Sequence, residues 1–183
     1  MTIKETNIKD CFIIEPQVFS DNRGYFFESF NQELFNQKTG LKIEFVQDNE
    51  SFSSKGVLRG LHLQTGNYAQ AKLVRVIKGR VLDIAVDVRP NSKTFGAHIA
   101  IELSAQNKKQ LFIPRGFAHG FLTLEENTIF SYKCDNYYNK SAEAGIIYND
   151  ATLNINWQLP EKDLILSEKD KTLPTFNAIQ NVL

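Results

Sequence analysis

The stretch Lys72-Leu73-Val74-Arg75-Val76-Ile77-Lys78-Gly79-Arg80-Val81-Leu82-Asp83-Ile84-Ala85-Val86-Asp87-Val88 holds two alternating runs joined by a turn. Lys72, Val74 and Val76 share a face of the first run; Leu82, Ile84, Val86 and Val88 share a face of the second. A period of two interrupted by Gly79-Arg80 reads as two strands and their connection. The pattern continues outward. Arg89-Pro90-Asn91-Ser92 is the next turn, Gly96 to Leu103 the next strand and Ser104 to Lys109 a polar loop. Leu111-Phe112-Ile113 begins a strand that Pro114 and Gly116 interrupt, and Ile129 to Tyr138 alternates with Phe130, Tyr132 and Cys134 on one face. Strand dominates from Phe45 to about Tyr148, and short strands at this spacing suggest an antiparallel barrel or jelly roll. Helix is expected at the periphery. Ser29 to Lys38 has Ser29 and Gln32 as a capping box and Gly40 as its stop, and a shorter helix is expected between Glu161 and Asp170, before Pro174.

The 183 residues, 42% hydrophobic and 23% charged, suffice for the core of a single domain over 1–183, and no repeat or linker divides them. Lys+Arg and Asp+Glu are both 21. That balance argues against a nucleic-acid binder, which needs a basic excess to meet phosphates. No apolar run approaches the ~18 residues that cross a bilayer, and the polar start MTIKETNIKD lacks the core of a signal peptide. A soluble cytoplasmic protein without a membrane partner is expected. Cys11 and Cys134 are too few for a disulfide framework or zinc cluster. Cys134, inside an alternating run, reads as a small buried hydrophobe.

Three histidines are present, His62, His98 and His119. His98 lies in an ordinary alternating strand and reads as a surface or edge residue. His62 stands in Gly56-Val57-Leu58-Arg59-Gly60-Leu61-His62-Leu63-Gln64, where strict alternation puts Arg59 and His62 on opposite faces. A bulge at Gly60 would turn both inward, and bulges gather beside active sites; a hydrogen-bonded core histidine fits the segment equally well. Lys72 is either a lysine snorkelling at a strand end or a buried ammonium requiring a partner or bound anion. Tyr132 is either a core residue with its hydroxyl bonded or a proton donor.

Ile113-Pro114-Arg115-Gly116-Phe117-Ala118-His119-Gly120-Phe121 is more specific. Its Pro-x-Gly-x-x-His pattern resembles the second motif of the cupin jelly rolls, and Gly79 matches the glycine closing their first. Many cupins hold a metal through a His-x-His pair, a carboxylate and the later histidine. Here the pair is His62-Leu63-Gln64, and two histidines fall short of the ~3 protein ligands a first-row metal requires. No metal site is expected.

Taken together, the motifs resemble one cupin family, the dTDP-4-dehydrorhamnose 3,5-epimerases, from about Phe19 to Pro174. They include Asp21-Asn22-Arg23-Gly24-Tyr25-Phe26-Phe27-Glu28, Gln47 to Ser51, Gly56 to His62, Gln70 to Val74, Asp87-Val88-Arg89, Ser92 to Gly96 and Pro114 to Phe121. Tyr132-Lys133, Tyr137-Tyr138, Asn149-Asp150, Trp157 and Leu166-Ser167-Glu168-Lys169-Asp170 complete the match. The resemblance implies a mainly β cupin jelly-roll barrel with a few short peripheral helices. It implies inversion at C3 and C5 of dTDP-4-dehydro-6-deoxy-D-glucose, giving dTDP-4-dehydro-L-rhamnose, without metal or redox cofactor. His62 would be the base, Tyr132 the acid, Asp170 the partner that orients His62, and Lys72 the cation at the enolate oxygen. Arg59 and His119 would lie near the sugar and diphosphate; Arg23, Glu28, Gln47 and Asn49 near the nucleotide end; Glu143 and Lys169 would complete the site. Read alone, Glu143 and Lys169 are solvated surface charges. The family forms homodimers that exchange amino-terminal strands, so Arg23 and Glu28 would serve the neighbour's site. The rivals are a single-centre epimerase of a related keto-deoxysugar, a non-catalytic sugar-nucleotide-binding cupin and a metal-dependent cupin. Two departures from the family pattern, Thr65 to Ala69 and Leu63, bear on substrate fit.

Overall fold

The computed structural model describes residues 1–179; residues 180–183 of the expected domain lie outside the described residues. The strands are β1 (Thr2–Glu5), β2 (Phe12–Glu15), β3 (Phe19–Asp21), β4 (Gly24–Phe26), β5 (Gln47–Ser53), β6 (Leu58–Gln64), β7 (Lys72–Lys78), β8 (Arg80–Asp87), β9 (His98–Ser104), β10 (Gln110–Ile113), β11 (Phe117–Thr123), β12 (Thr128–Cys134) and β13 (Glu143–Gly145). The helices are α1 (Gln32–Thr39), α2 (Glu168–Lys171) and α3 (Phe176–Ile179). One sheet has the order β1-β2-β10-β7-β12-β5, a second the order β13-β6-β11-β8-β9, and β3-β4 forms a separate hairpin. The ladders between these strands are antiparallel, so the expected jelly-roll architecture is the one observed.

Two sheets make three apolar layers because both outer faces are covered. Val74, Val76 and Phe130 of the six-stranded sheet meet Val81, Ala85, Phe117 and Phe121 of the five-stranded sheet between them. The outer face of the five-stranded sheet, with Leu82, Ile84, Val86 and Val88, packs on Ile146, Leu153, Trp157 and Phe176 from the last third of the chain. The outer face of the six-stranded sheet, with Phe12, Leu73 and Phe112, packs on Phe35 of α1 and on Phe30 and Phe45. The Phe35 and Phe112 rings meet edge to face, 5.1 Å apart. Strand β8 is buried on both faces from Val81 to Asp87, its two carboxylates included.

Several boundaries differ from the sequence reading. The first helix begins at Gln32, not Ser29, and its cap is Asn31, whose side chain accepts from Leu34 N–H at 3.0 Å. The Ser29 carbonyl instead accepts from Gln110 Nε2 at 2.7 Å, and the Gln32 amide bonds the Ile43 carbonyl, so no capping box forms. Gly40, at φ 72°, is the expected stop. Strand β12 ends at Cys134, short of Tyr138. The tail helix is two pieces, a 3-10 turn at Glu161–Asp163 and α2, separated by an extended stretch. Strands β1 to β4 precede Phe45, where the sequence reading had none.

Candidate active site

The local anomaly that builds the site is in β6. His119 pairs with His62 and Phe121 with Arg59, so Gly60 and Leu61 together oppose Gly120 alone. This is a bulge, one extra residue on one strand. It restores the alternation with a shifted phase. Leu58, Leu61 and Leu63 join the outer core, while Arg59 and His62 both line the cavity between the sheets. The crossing is too close for side chains: a Cβ on Gly60, at φ +130°, would lie 2.5 Å from the Gly120 Cα.

The cavity has two lobes. The first, about 530 Å³, is lined by Arg59, His62, Lys72, His119, Tyr132, Lys169 and Asp170, with Phe121 and Phe130 as its apolar wall. Those two rings stack at 4.2 Å. The second, about 270 Å³, is lined by Gln47, Asn49, Gln64, Gln70, Tyr138 and Glu143. His62, Lys72 and Tyr132 border both lobes. His62 comes from the five-stranded sheet and Tyr132 and Lys72 from the six-stranded one; the histidine thus faces the tyrosine and the lysine from opposite walls.

His62 Nε2 lies 2.6 Å from Asp170 Oδ1. Asp170 is buried. Burial alone would raise its carboxyl, but the hydrogen bond and charge of His62, the Gly60 N–H and Ser167 hold it below the ordinary range. Burial pushes the Tyr132 phenol up, with Cys134 adding to the shift and Arg59 opposing it. Burial pulls the Lys72 ammonium down, against the opposing pull of Cys134, Asp83 and Glu143. Lys72 lines both lobes instead of snorkelling out, with Nζ 6.0 Å from the Tyr132 ring centroid. Lys169 Nζ contacts Glu143 Oε1 at 2.5 Å. That bond holds the Glu143 carboxyl below its usual range against some burial, so these two are a pair at the junction of the lobes and not independent surface charges.

Arg23 and Glu28 line neither lobe. Arg23, on the turn of the β3–β4 hairpin, pairs with Asp21 at 2.6 Å, and Glu28 accepts from Asn31 Nδ2 at 3.3 Å. His98 sits on the edge strand β9, as its sequence context suggested, and Cys134 is buried. His62 and His119 face each other across the ladder, but each bonds its own carboxylate, and among the described residues no group of three or more His, Cys, Asp or Glu is gathered as for a metal ion.

Sequence reasoning missed Asp83, fully buried, with Oδ2 2.9 Å from His119 Nε2. Its signal was present: a carboxylate inside the apolar Val81–Val88 run is too costly to bury without a partner. It also missed Gln64, whose Oε1 accepts from Asn139 N–H at 2.8 Å, and Ser51, whose buried Oγ lines the first lobe without a hydrogen-bond partner among the described residues. No pattern in the sequence distinguishes that serine from its neighbours.

A family profile for dTDP-4-dehydrorhamnose 3,5-epimerase matches residues 5–178. The dTDP-4-dehydrorhamnose 3,5-epimerase of Escherichia coli is 52% identical over 179 residues, covering 98% of this chain and 96% of the relative. The crystal structure of the enzyme of that name from Elizabethkingia anophelis has 58% identity and a TM-score of 0.94, covering 97% of both chains. A Legionella pneumophila dTDP-6-deoxy-D-glucose-3,5-epimerase, solved in complex with dTDP-4-keto-L-rhamnose, has 46% identity and a TM-score of 0.93, covering 97% of this chain and 94% of its own. With half of its residues shared across nearly the full length, and with a jelly-roll cavity between its sheets, this chain belongs to the dTDP-4-dehydrorhamnose 3,5-epimerase family and is an isomerase of dTDP-L-rhamnose biosynthesis.

Proposed function

We propose that His62 and Tyr132 divide the proton transfers of the 3,5-epimerisation, acting on dTDP-4-dehydro-6-deoxy-D-glucose from opposite sides of the sugar ring. The C4 ketone acidifies the protons on C3 and C5. Inversion at either carbon removes a proton from one face and returns one to the other. The observation that carries this reading is the placement of His62 and Tyr132 on different sheets with the cavity between them. His62, oriented by Asp170, takes the C–H proton and passes it to solvent. The electron pair moves onto the C4 oxygen as an enolate, beside the Lys72 ammonium, where a fixed charge in a low-dielectric site acts most strongly. The enolate then collapses as Tyr132 O–H protonates carbon from the far side, and the phenolate recovers its proton from solvent. The raised phenol of Tyr132 suits it to hold a proton until that step.

Arg59 and His119 receive the diphosphate side of the sugar; a planar guanidinium matches phosphate oxygens. The amide-rich second lobe, with Gln47 and Asn49 and bounded by the Glu143–Lys169 pair, receives the nucleotide. Arg23 and Glu28 complete the site of a second copy in a homodimer, carried there by the β3–β4 hairpin. That assignment is supported by their absence from the lining of the chain's own cavity and by Phe19 and Phe26 on the hairpin, 55% and 69% exposed. Residues 1–183 act as one epimerase domain. Its compartment is the cytoplasm, which agrees with two buried, unpaired cysteines; no helix among the described residues is long and apolar enough to cross a membrane.

Proton NMR of dTDP-4-dehydro-6-deoxyglucose with the enzyme in deuterated water tests the roles. Deuterium enters both C3 and C5 with the native chain. His62→Ala lowers both exchange and product by at least about 10³-fold, within the range of general base catalysis. Tyr132→Phe retains exchange while product formation falls. Equal loss of exchange and product in Tyr132→Phe would refute the division of labour.

A further inference from the structure

Two segments that contain none of the reacting groups, Gly56-Val57-Leu58 and Ile165-Leu166-Ser167, meet beside the site. Ile165 N–H donates to the Gly56 carbonyl at 2.8 Å and Leu58 N–H donates to the Ile165 carbonyl at 3.0 Å, forming a parallel bridge between Val57 and Ile165. Beyond the bridge the chain turns into α2. Ser167 is its N-cap, accepting Asp170 N–H at Oγ over 3.1 Å. Asp170 then reaches back to the same strand, with Oδ1 2.6 Å from His62 Nε2 and Oδ2 accepting from Gly60 N–H at 3.4 Å. The strand that carries the histidine therefore also anchors, a few residues upstream, the segment that delivers its carboxylate.

The first anchor leaves no room for a side chain. Gly56 sits at φ +85°, and a Cβ there would lie 2.4 Å from the Asp163 carbonyl oxygen. That oxygen is backbone, so it moves only if the segment moves with it. The second anchor is a single hydroxyl in a helix of four residues, too short to hold its direction by its own hydrogen bonds.

We infer that Gly56 and Ser167 are positioning residues: they fix residues 163–170 against the start of β6 so that Asp170 meets His62 in register. The inference rests on His62 and Asp170 being the working pair. Neither residue donates or accepts a proton in the reaction. Ser167 also lines the first lobe, so a contact with substrate is its alternative role, and the two roles predict different kinetics. A substrate contact would appear mainly in KM and would not depend on Asp170. A support for Asp170 appears in kcat and vanishes when the carboxylate is gone.

The test is a steady-state comparison of Ser167→Ala, Ser167→Asn, Gly56→Ala, Asp170→Asn and the Ser167→Ala/Asp170→Asn double variant, using the full chain. Losing a cap of ordinary strength lowers kcat about 10-fold in Ser167→Ala, with KM changed by less than about twofold. Asn, as good a cap as Ser, restores most of it. Gly56→Ala displaces the carboxylate by a sizeable fraction of an ångström and lowers kcat about 100-fold. In the Asp170→Asn background, Ser167→Ala changes kcat by less than about twofold, since coupled groups do not add. An equal Ser167→Ala effect with and without the carboxylate, or an effect on KM alone, overturns the inference while leaving the His62–Asp170 pair standing. If Asp170→Asn itself leaves kcat unchanged, the pair is wrong and the inference falls with it. Should Gly56→Ala fail to fold, the serine cycle decides alone.

Discussion

At the scale of single residues, Lys72 shows how surroundings change a side chain's chemistry. On a solvated strand it would titrate near the usual lysine value of about 10.4. Here burial holds it lower, partly offset by Cys134, Asp83 and Glu143. As pH rises through that lowered value the ammonium loses its proton, and the charge proposed to face the enolate is lost with it. Activity is therefore expected to fall on the alkaline side at a pH below that of a free lysine. Lys72→Arg should remove this limb from the pH–kcat profile, because a guanidinium stays charged. Lys72→Met should lower kcat by about 10²–10³-fold, the usual effect of deleting one oxyanion-stabilising group. An alkaline limb unchanged in Lys72→Arg would place its origin elsewhere. Lys72 was legible as an oddity, a cation in register with Val74 and Val76. Whether that face turned to solvent or to the cavity depended on which sheet covered it.

At the scale of elements, α1 shows why local patterns mislocate boundaries. Ser29-Phe30-Asn31-Gln32 offers two cap residues two positions apart, and both satisfy local preferences. The choice falls to Asn31 because Phe30 packs with Phe35 and Phe45 over the six-stranded sheet, 6.0 and 5.2 Å between centroids, and because the Ser29 carbonyl is taken by Gln110. Asn31→Ala is expected to cost about 1 kcal/mol of stability, the ordinary worth of a cap; Ser29→Ala should cost much less, since its side chain caps nothing. Urea denaturation of both variants checks this, and the reverse ranking would restore the cap at Ser29. The tail follows the same logic. Glu161 to Asp170 has helical composition, but the bridge from Val57 to Ile165 keeps its centre extended. The bulge in β6 was the opposite case, visible as a glycine between two polar residues that alternation would separate.

At the scale of the whole molecule, a zero formal net charge on a chain that takes a dianionic diphosphate means that the positive potential must be local. Arg59, Lys72 and Lys169 line one lobe and provide it. The β3–β4 hairpin pairs with neither large sheet, and its Phe19, Tyr25 and Phe26 are exposed, which gives the proposed homodimer its contact. Sedimentation of the native chain should show a dimer, and Phe26→Asp should shift it towards monomer. With Arg23 and Glu28 withdrawn from the neighbouring cavity, KM for the dTDP-sugar should rise at least about tenfold, the loss of one strong interface or ligand contact. A native chain that sediments as a monomer with full activity would remove the hairpin from the site.

What the sequence by itself determined is local and periodic: the alternation from Lys72 to Val88, the turn at Gly79, the stop at Gly40, and the order of motifs that marks the family. These depend on neighbours in the chain, which a sequence contains. The pairing of His62 with Asp170 across 108 positions, of His119 with Asp83 across 36, and of Glu143 with Lys169 was decided by tertiary structure. Asp170 had a partner proposed only through family resemblance, and Asp83 had none. A carboxylate's hydrogen-bond partner is set by which strands lie side by side, and that follows from packing two sheets and burying their outer faces, not from any spacing along the chain.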